Sequence, residues 1–347
     1  MVVRTTQLNH WVHSILSKPA SPEISLIPIS GDASFRRYYR VHIGDSSFIA
    51  VDAPPERENN RQFVALAKLL GDNNLNVPMV HHVDFEHGFM LLSDMGDDSY
   101  YAALVSGNIS EDNANDLYHA AIECLVKIQM IDHSSCTIPV YDADFILREL
   151  ALFSDWFVRG QLELGDYPYF QSVSRLLVDN ALEQPQVLMH RDYHSRNLMI
   201  TRQNSPGILD YQDAVIGPVT YDLASLLKDC YLRLPDEQIS RLIRTYINQA
   251  ETAGVLSNTD LGNFLRWFDL MALQRHIKCA GIFTRLFIRD GKSVYLQDIP
   301  RLIGYIMTTT GNYTELLPFN RWLTQTVLPR MSEMTHVFEP DANGLKK

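Results

Sequence analysis

Strand, turn and charge alternate too quickly between residues 186 and 210 for an all-helical fold. Gln186-Val187-Leu188-Met189 and Leu198-Met199-Ile200 are apolar runs of strand length, His190-Arg191-Asp192-Tyr193-His194-Ser195-Arg196-Asn197 lies between them, and Pro206-Gly207 turns the chain into Ile208-Leu209-Asp210. Carboxylates and an amide are thereby set where strands end and loops begin. The fixed residues of H-R-D-x-x-x-x-N recur by chance in roughly two chains per thousand of this length, before Asp210 is required.

That residue set suits one chemistry. Transfer of a γ-phosphoryl group needs an in-line nucleophile, neutralised phosphate charge and metal ions held by hard oxygen ligands. Asp192 is placed to accept the proton of an acceptor hydroxyl, while Asn197 and Asp210 are placed to hold Mg²⁺ against ATP. Polar turn residues at these positions are the plainer reading, but it leaves their joint spacing unexplained. A zinc site on His190 and His194 needs a helix and a Glu beside the first His, and Arg191 stands there instead.

The order of the remaining patterns predicts an α+β fold of two lobes. A helix over Thr6–Ser17 precedes strands at Ser25–Ile29, Arg37–Ile43 and Ser47–Val51, which read as antiparallel. A helix over Arg57–Leu70 and strands around Val80–Phe85 and Phe89–Leu92 complete a small N-terminal lobe, residues 1–94. After a hinge at 95–98 the periodicity turns helical, at Ser110–Met130, Ala143–Arg159, Tyr169–Ala181, Asp222–Asp229, Asp236–Ala253 and much of 259–289. Residues 99–335 are expected to form a larger, mostly helical lobe carrying the catalytic loop and the acceptor site, with a frayed tail at 336–347.

With 347 residues, 46% of them hydrophobic, the chain can bury two substantial cores. A formal charge of −11 disfavours unaided binding to nucleic acid or an anionic membrane. Four Cys, at 124, 136, 230 and 279, form no C-x-x-C pair and fit a reducing, cytoplasmic setting. The N-terminus lacks a signal-peptide core, no apolar stretch reaches membrane-spanning length, and a monomer is the simplest expectation.

Three further segments bear on a nucleotide and an acceptor. Ser30, Gly31 and Ser34, with Arg36, lie in a small, polar connection between the first two strands, where backbone N–H groups can approach ATP phosphates. Leu92-Ser93-Asp94-Met95 is the segment placed to run past the adenine edge. Tyr193, His194, Arg196, Gln212 and Asp213 stand near enough to Asp192 in sequence to meet a small-molecule acceptor. His190, Arg191 and Asp222 are expected to support the catalytic loop, with Asp222 also read as the N-cap of the helix Leu223–Lys228.

Taken in order, the H-[GR]-D-x-x-x-x-N loop, the Leu209-Asp210 metal motif and Tyr221-Asp222-Leu223-Ala224 resemble the aminoglycoside phosphotransferase and choline-kinase-like family, over roughly residues 25–310. The resemblance implies a protein-kinase-like fold and ATP with Mg²⁺. Gly31–Arg40, Asp52–Glu56, His190–Leu198 and Leu209–Ala214 further resemble a bacterial branch that phosphorylates the anomeric (C1) hydroxyl of the sugars N-acetylmuramate and N-acetylglucosamine in peptidoglycan recycling. An aminoglycoside, choline or another amino alcohol is the alternative acceptor, and a non-catalytic nucleotide-binding pseudokinase the remaining alternative. One departure stands out: the third strand, Phe48-Ile49-Ala50-Val51-Asp52-Ala53, lacks the phosphate-pairing Lys of protein kinases and has Asp52 in that neighbourhood.

Overall fold

A computed structural model describes residues 2–16, 24–29, 35–134, 137–165, 167–258 and 260–338. The chain divides into two compact units, residues 1–127 with 196–213, and 128–195 with 214–347.

The first unit is built on a five-stranded antiparallel sheet in the order β1-β2-β3-β5-β4. Its strands are β1 (Ile27–Ile29), β2 (Arg37–Ile43), β3 (Ser46–Asp52), β4 (Val80–Asp84) and β5 (Phe89–Ser93). Alternation decides which face is covered. Tyr39, Ala50 and Leu91 stand in register on three adjacent strands, and with Val41 and Phe89 they pack against Leu8 and Val12 of α1 (Val2–Leu16). Tyr38, Val51 and Met90, also in register, therefore point to the opposite face.

Helix α2 (Asn60–Asp72) starts three residues later than its apolar period suggested. Pro54 O accepts the N–H groups of both Arg57 and Glu58, and the Asn59 side chain then caps the helix through the Gln62 N–H. Helices α3 (Tyr100–Val105) and α4 (Glu111–Gln129) follow. The unit also takes in the hairpin β7 (Leu198–Met199) and β8 (Gly207–Ile208). Asn76 holds that hairpin: its carbonyl accepts the Ile208 N–H at 2.8 Å, and its amide donates to Thr201 Oγ1 at 3.0 Å.

The second unit is helical, with one short ladder. It comprises α5 (Ala143–Leu152), α6 (Phe170–Leu182), α7 (Tyr221–Leu227), α8 (Asp236–Thr252), α9 (Leu261–Asp290) and α10 (Ile299–Asn312), beside further short turns. Helix α9 is its axis. Capped by the Asp260 side chain and ended by Gly291 at φ +70°, it is buried almost continuously from Leu270 to Gly281, as a helix packed on all sides must be. The single helix expected over 143–159 instead passes from α to π geometry at Phe153–Gln161, beside Gly281 of α9. A Cβ on Gly281 would lie 2.4 Å from the Leu152 carbonyl carbon, so only glycine lets these backbones approach.

Strand β6 (Gln186–Met189) pairs antiparallel with β9 (Val215–Pro218), a strand the sequence reading did not anticipate. Gly217 and Pro218 disguise it as a turn. Pro218 sits at the strand end, where its missing N–H costs little, and Gly217 leaves room for Met189 Sδ, which a Cβ would meet at 2.8 Å. No helix among the described residues is long and apolar enough to cross a membrane.

Candidate functional site

Residues of the catalytic segment fall into both units, because the chain passes from one to the other between Ser195 and Arg196.

In the second unit β6 delivers His190 to the start of the loop, and Asp222 holds it there. The Asp222 carboxylate accepts the backbone N–H of His190 at 2.6 Å and of Arg191 at 2.9 Å, across more than thirty residues of sequence. These bonds fix Arg191 at φ +78°, a conformation that turns the chain sharply before Asp192. Asp222 is not the helix cap: Thr220 occupies that position, and Asp222 lies in the first turn of α7, fully buried. Burial pushes its carboxyl up to about 7, against the pull of the two backbone donors.

Asp192 is partly buried beside a cluster of positive charge. Burial alone raises its carboxyl, but Lys278, His194 and Arg191 outweigh that and hold it down to about 2. The cluster has its own counter-charge in Glu149 of α5. Glu149 Oε1 accepts Arg191 Nη2 at 2.6 Å and Lys278 Nζ at 2.9 Å, while Oε2 accepts the Tyr141 hydroxyl. Lys278 also donates to the Tyr221 hydroxyl at 2.9 Å, and Arg191 lies over the Phe145 ring. At the far end of the loop Ser195 donates to Asp229 through both its N–H, at 3.1 Å, and its hydroxyl, at 2.6 Å. Glu149, Lys278 and Asp229 were missed in the sequence, where nothing local marks them.

Tyr193 was expected to face an acceptor. It has no exposed surface and sets its ring edge against His190, so it packs the loop from within. His194, 8% exposed, meets the Tyr231 ring edge-on, and Asp229 fixes Tyr231 by accepting its N–H at 2.9 Å.

In the first unit the β7–β8 hairpin brings Asn197 and Asp210 together. The Leu209 N–H donates to the Asn197 carbonyl at 2.9 Å, and Asp210, exposed and at φ +62°, turns its carboxylate to within 3.5 Å of the Asn197 amide. An amide oxygen and a carboxylate side by side are the hard donors that would suit Mg²⁺, once the Asn197 amide is turned oxygen-first. Gln212 was expected on the acceptor; its amide donates to Asp210 Oδ1 at 2.6 Å and so orients that carboxylate. Asp213 is exposed, and the Arg196 guanidinium lies 4.8 Å from the centre of the Tyr101 ring. Among the described residues no group of three or more His, Cys, Asp and Glu could hold a metal by itself. A magnesium site shared with phosphate oxygens needs no such group.

Ser30, Gly31 and Ser34 lie outside the described residues. Arg36 is buried and paired with Glu58. In the expected adenine segment Leu92 is buried, so it can offer only its backbone, and the Ser93 N–H is spent on the Met79 carbonyl at 3.0 Å. Asp94 is paired with Arg40, and Met95 packs beside Gly207.

A family model described as the phosphotransferase enzyme family matches residues 25–255. A protein of Pseudomonas putida named N-acetylmuramate/N-acetylglucosamine kinase is 42% identical over 325 residues, covering 90% of this chain and 94% of its own. One of the same name from Pseudomonas aeruginosa is 40% identical over 341 residues, covering 95% and 98%. Among solved structures, choline kinase from Streptococcus pneumoniae aligns over 88% of this chain and 99% of its own with a TM-score of 0.60 at 12% identity, a likeness of fold alone. With its catalytic segment, its two-unit kinase-like α+β fold and these matches, the chain belongs to the phosphotransferase enzyme family.

Proposed function

We propose that this phosphotransferase moves the γ-phosphoryl group of Mg-ATP onto the anomeric (C1) hydroxyl of N-acetylmuramate and N-acetylglucosamine. The product is a sugar 1-phosphate, fit for uridylyl transfer toward UDP-N-acetylmuramate. The observation that carries this reading is the 40–42% identity, along at least 90% of the chain, to two relatives that both bear the name of these two sugars.

Asp192 takes the role of base. A carboxylate held at about 2 is a weak proton acceptor, which suits a loose transition state whose acceptor proton leaves late; its main task is to aim the hydroxyl. Asn197 and Asp210 hold Mg²⁺, which neutralises charge on the transferring group. Ser30, Gly31, Ser34 and Arg36 serve the phosphates, and the backbone of 92–95 serves the adenine. His194, Arg196 and Asp213 face the sugar, with Arg196 matched to the lactyl carboxylate of N-acetylmuramate. The lobe division at 95–98, a cytoplasmic location and a monomeric state belong to the same proposal.

Incubation with Mg-ATP and either sugar is expected to give one ADP per acid-labile sugar phosphate. Asp192→Ala should lower turnover by about 10²–10⁴-fold with its unfolding midpoint retained. An acid-stable phosphate, turnover of choline or aminoglycosides alone, or an active Asp192→Ala variant would each refute the reading.

A further inference from the structure

The third strand's missing lysine raises the question of what grips the nucleotide. Asp52 is not its replacement. It shares the α1-covered face with Ala50 and is 1% exposed, its Oδ1 accepting Arg4 Nε of α1 at 2.9 Å. The opposite face of β3 offers Ile49 and Val51, both apolar.

Four arginines are candidates for the vacant charge. Arg40, midway along β2, is tied to Asp94 at 2.6 Å and Asp97 at 2.8 Å. Arg57 is exposed and lies over the Phe35 ring. Arg37 follows the alternation of Tyr39 and Val41, toward α1.

Arg36 differs from all three. It stands one residue before β2, it is 5% exposed, and its Nη2 meets Glu58 Oε2 at 3.0 Å. The other oxygen of Glu58 accepts the Phe35 N–H at 3.0 Å, so one carboxylate fixes both the guanidinium and the chain that enters β2. The guanidinium lies 5.6 Å from the centre of the Phe63 ring of α2. The Phe63 ring in turn lies 5.1 Å from the ring of Tyr211, the residue after Asp210, tilted by 34°. Arg36, Glu58, Asp210 and Asp213 all act electrostatically on the Tyr38 hydroxyl, which places the guanidinium in the neighbourhood of the metal carboxylate.

We propose that Arg36 is the phosphate-gripping cation of the nucleotide site, that Glu58 is its positioning residue, and that this pair replaces a strand-three lysine. The inference rests on the kinase reading above. A guanidinium has five donors in a rigid fork, more than one carboxylate can accept, and the fork matches phosphate oxygens two at a time. Glu58 holds the fork in place without cancelling it, since an incoming polyphosphate brings far more negative charge than one carboxylate.

The test compares binding of Mg-ATP with binding of adenosine, which lacks phosphates, in wild type, Arg36→Met, Arg36→Lys, Glu58→Gln and the Arg36→Met/Glu58→Gln double variant. Arg36→Met is expected to weaken Mg-ATP by about 10- to 100-fold while leaving adenosine within about twofold. Arg36→Lys should recover part of that loss. Glu58→Gln should cost less than Arg36→Met, and nothing further when Arg36 is already gone, because it acts through Arg36. An unchanged ratio of the two affinities in Arg36→Met or, should that variant not fold, in Arg36→Lys overturns the inference while leaving the kinase reading intact. A wild type that binds neither ligand overturns the kinase reading itself, and the inference with it.

Discussion

Replacing Glu149 with glutamine keeps the shape of the α5 side chain and removes the carboxylate that is ion-paired with two cations. The Glu149 side chain is 9% exposed, Lys278 7% and Arg191 15%, so water cannot take over the lost role. Removing one partner of a buried ion pair costs about 3–5 kcal/mol. The lower end fits if Lys278 leans on the Tyr221 hydroxyl, the upper end if Arg191 cannot move because its N–H is held by Asp222. In a unit of roughly 200 residues each kcal/mol shifts the midpoint by about 2–4 °C, so Glu149→Gln should unfold about 6–20 °C early by circular dichroism.

The decisive control adds Lys278→Met. If Glu149 serves to balance Lys278, removing the cation as well must restore part of the loss, giving a coupling of at least about 1 kcal/mol in the double-mutant cycle. Acid supplies a second readout. Burial raises the Glu149 carboxyl, but Lys278 and Arg191 outweigh it and hold it below its ordinary 4.5. A depressed carboxyl stabilises the fold above that ordinary value, and the contribution disappears as pH falls through the lower folded value. Below pH 4.5 the wild type should therefore lose stability more steeply than Glu149→Gln. Strictly additive substitutions, or an unfolding midpoint within about 2 °C of wild type, would refute the argument.

Asp222→Asn retains one acceptor for the backbone donors of His190 and Arg191 but turns an NH₂ group toward the other, so both amides should exchange faster, by about tenfold or more, in hydrogen-exchange mass spectrometry of the loop. Its pH signature has the opposite sign to that of Glu149. A carboxyl raised from 3.8 to about 7 keeps its proton in the fold after the unfolded chain has lost it, so wild-type stability should fall by up to about 4 kcal/mol between pH 4 and 7 from this residue, and urea titrations of Asp222→Asn should lack that loss. Gly281→Ala drives a methyl into the Leu152 backbone and should cost about 3 kcal/mol, read as an early thermal midpoint; an unshifted midpoint would mean that α9 and the π-helical segment are not packed as closely as described.

What the sequence disclosed and what it hid divide along one physical line. The loop chemistry was legible because its residues are fixed by spacing along a single short segment, and the first N-terminal strands because Gly31-Asp32 and Gly44-Asp45 separate runs rich in Ile, Val, Tyr and Phe. Asp222 was read both as a support of the loop and as a helix cap; the structure keeps the first role, through backbone donors 31 and 32 residues away, and gives the cap position to Thr220, a choice that nothing local could make. Glu149 reaches Arg191 across 42 residues and Ser195 reaches Asp229 across 34, distances at which periodicity carries no signal. The arginine face of β2 is the instructive intermediate case. Tyr39, Val41 and Ile43 alternate with Tyr38, Arg40 and His42, so the sequence already separates an apolar face of β2 from a more polar one. It does not say which residue of β3 lies opposite Tyr38. Only the register sets Val51 there and leaves Asp52 to Arg4, and an apolar Val51 beside an occupied Asp52 is the ground on which the role of the missing lysine is proposed for Arg36, one residue before β2.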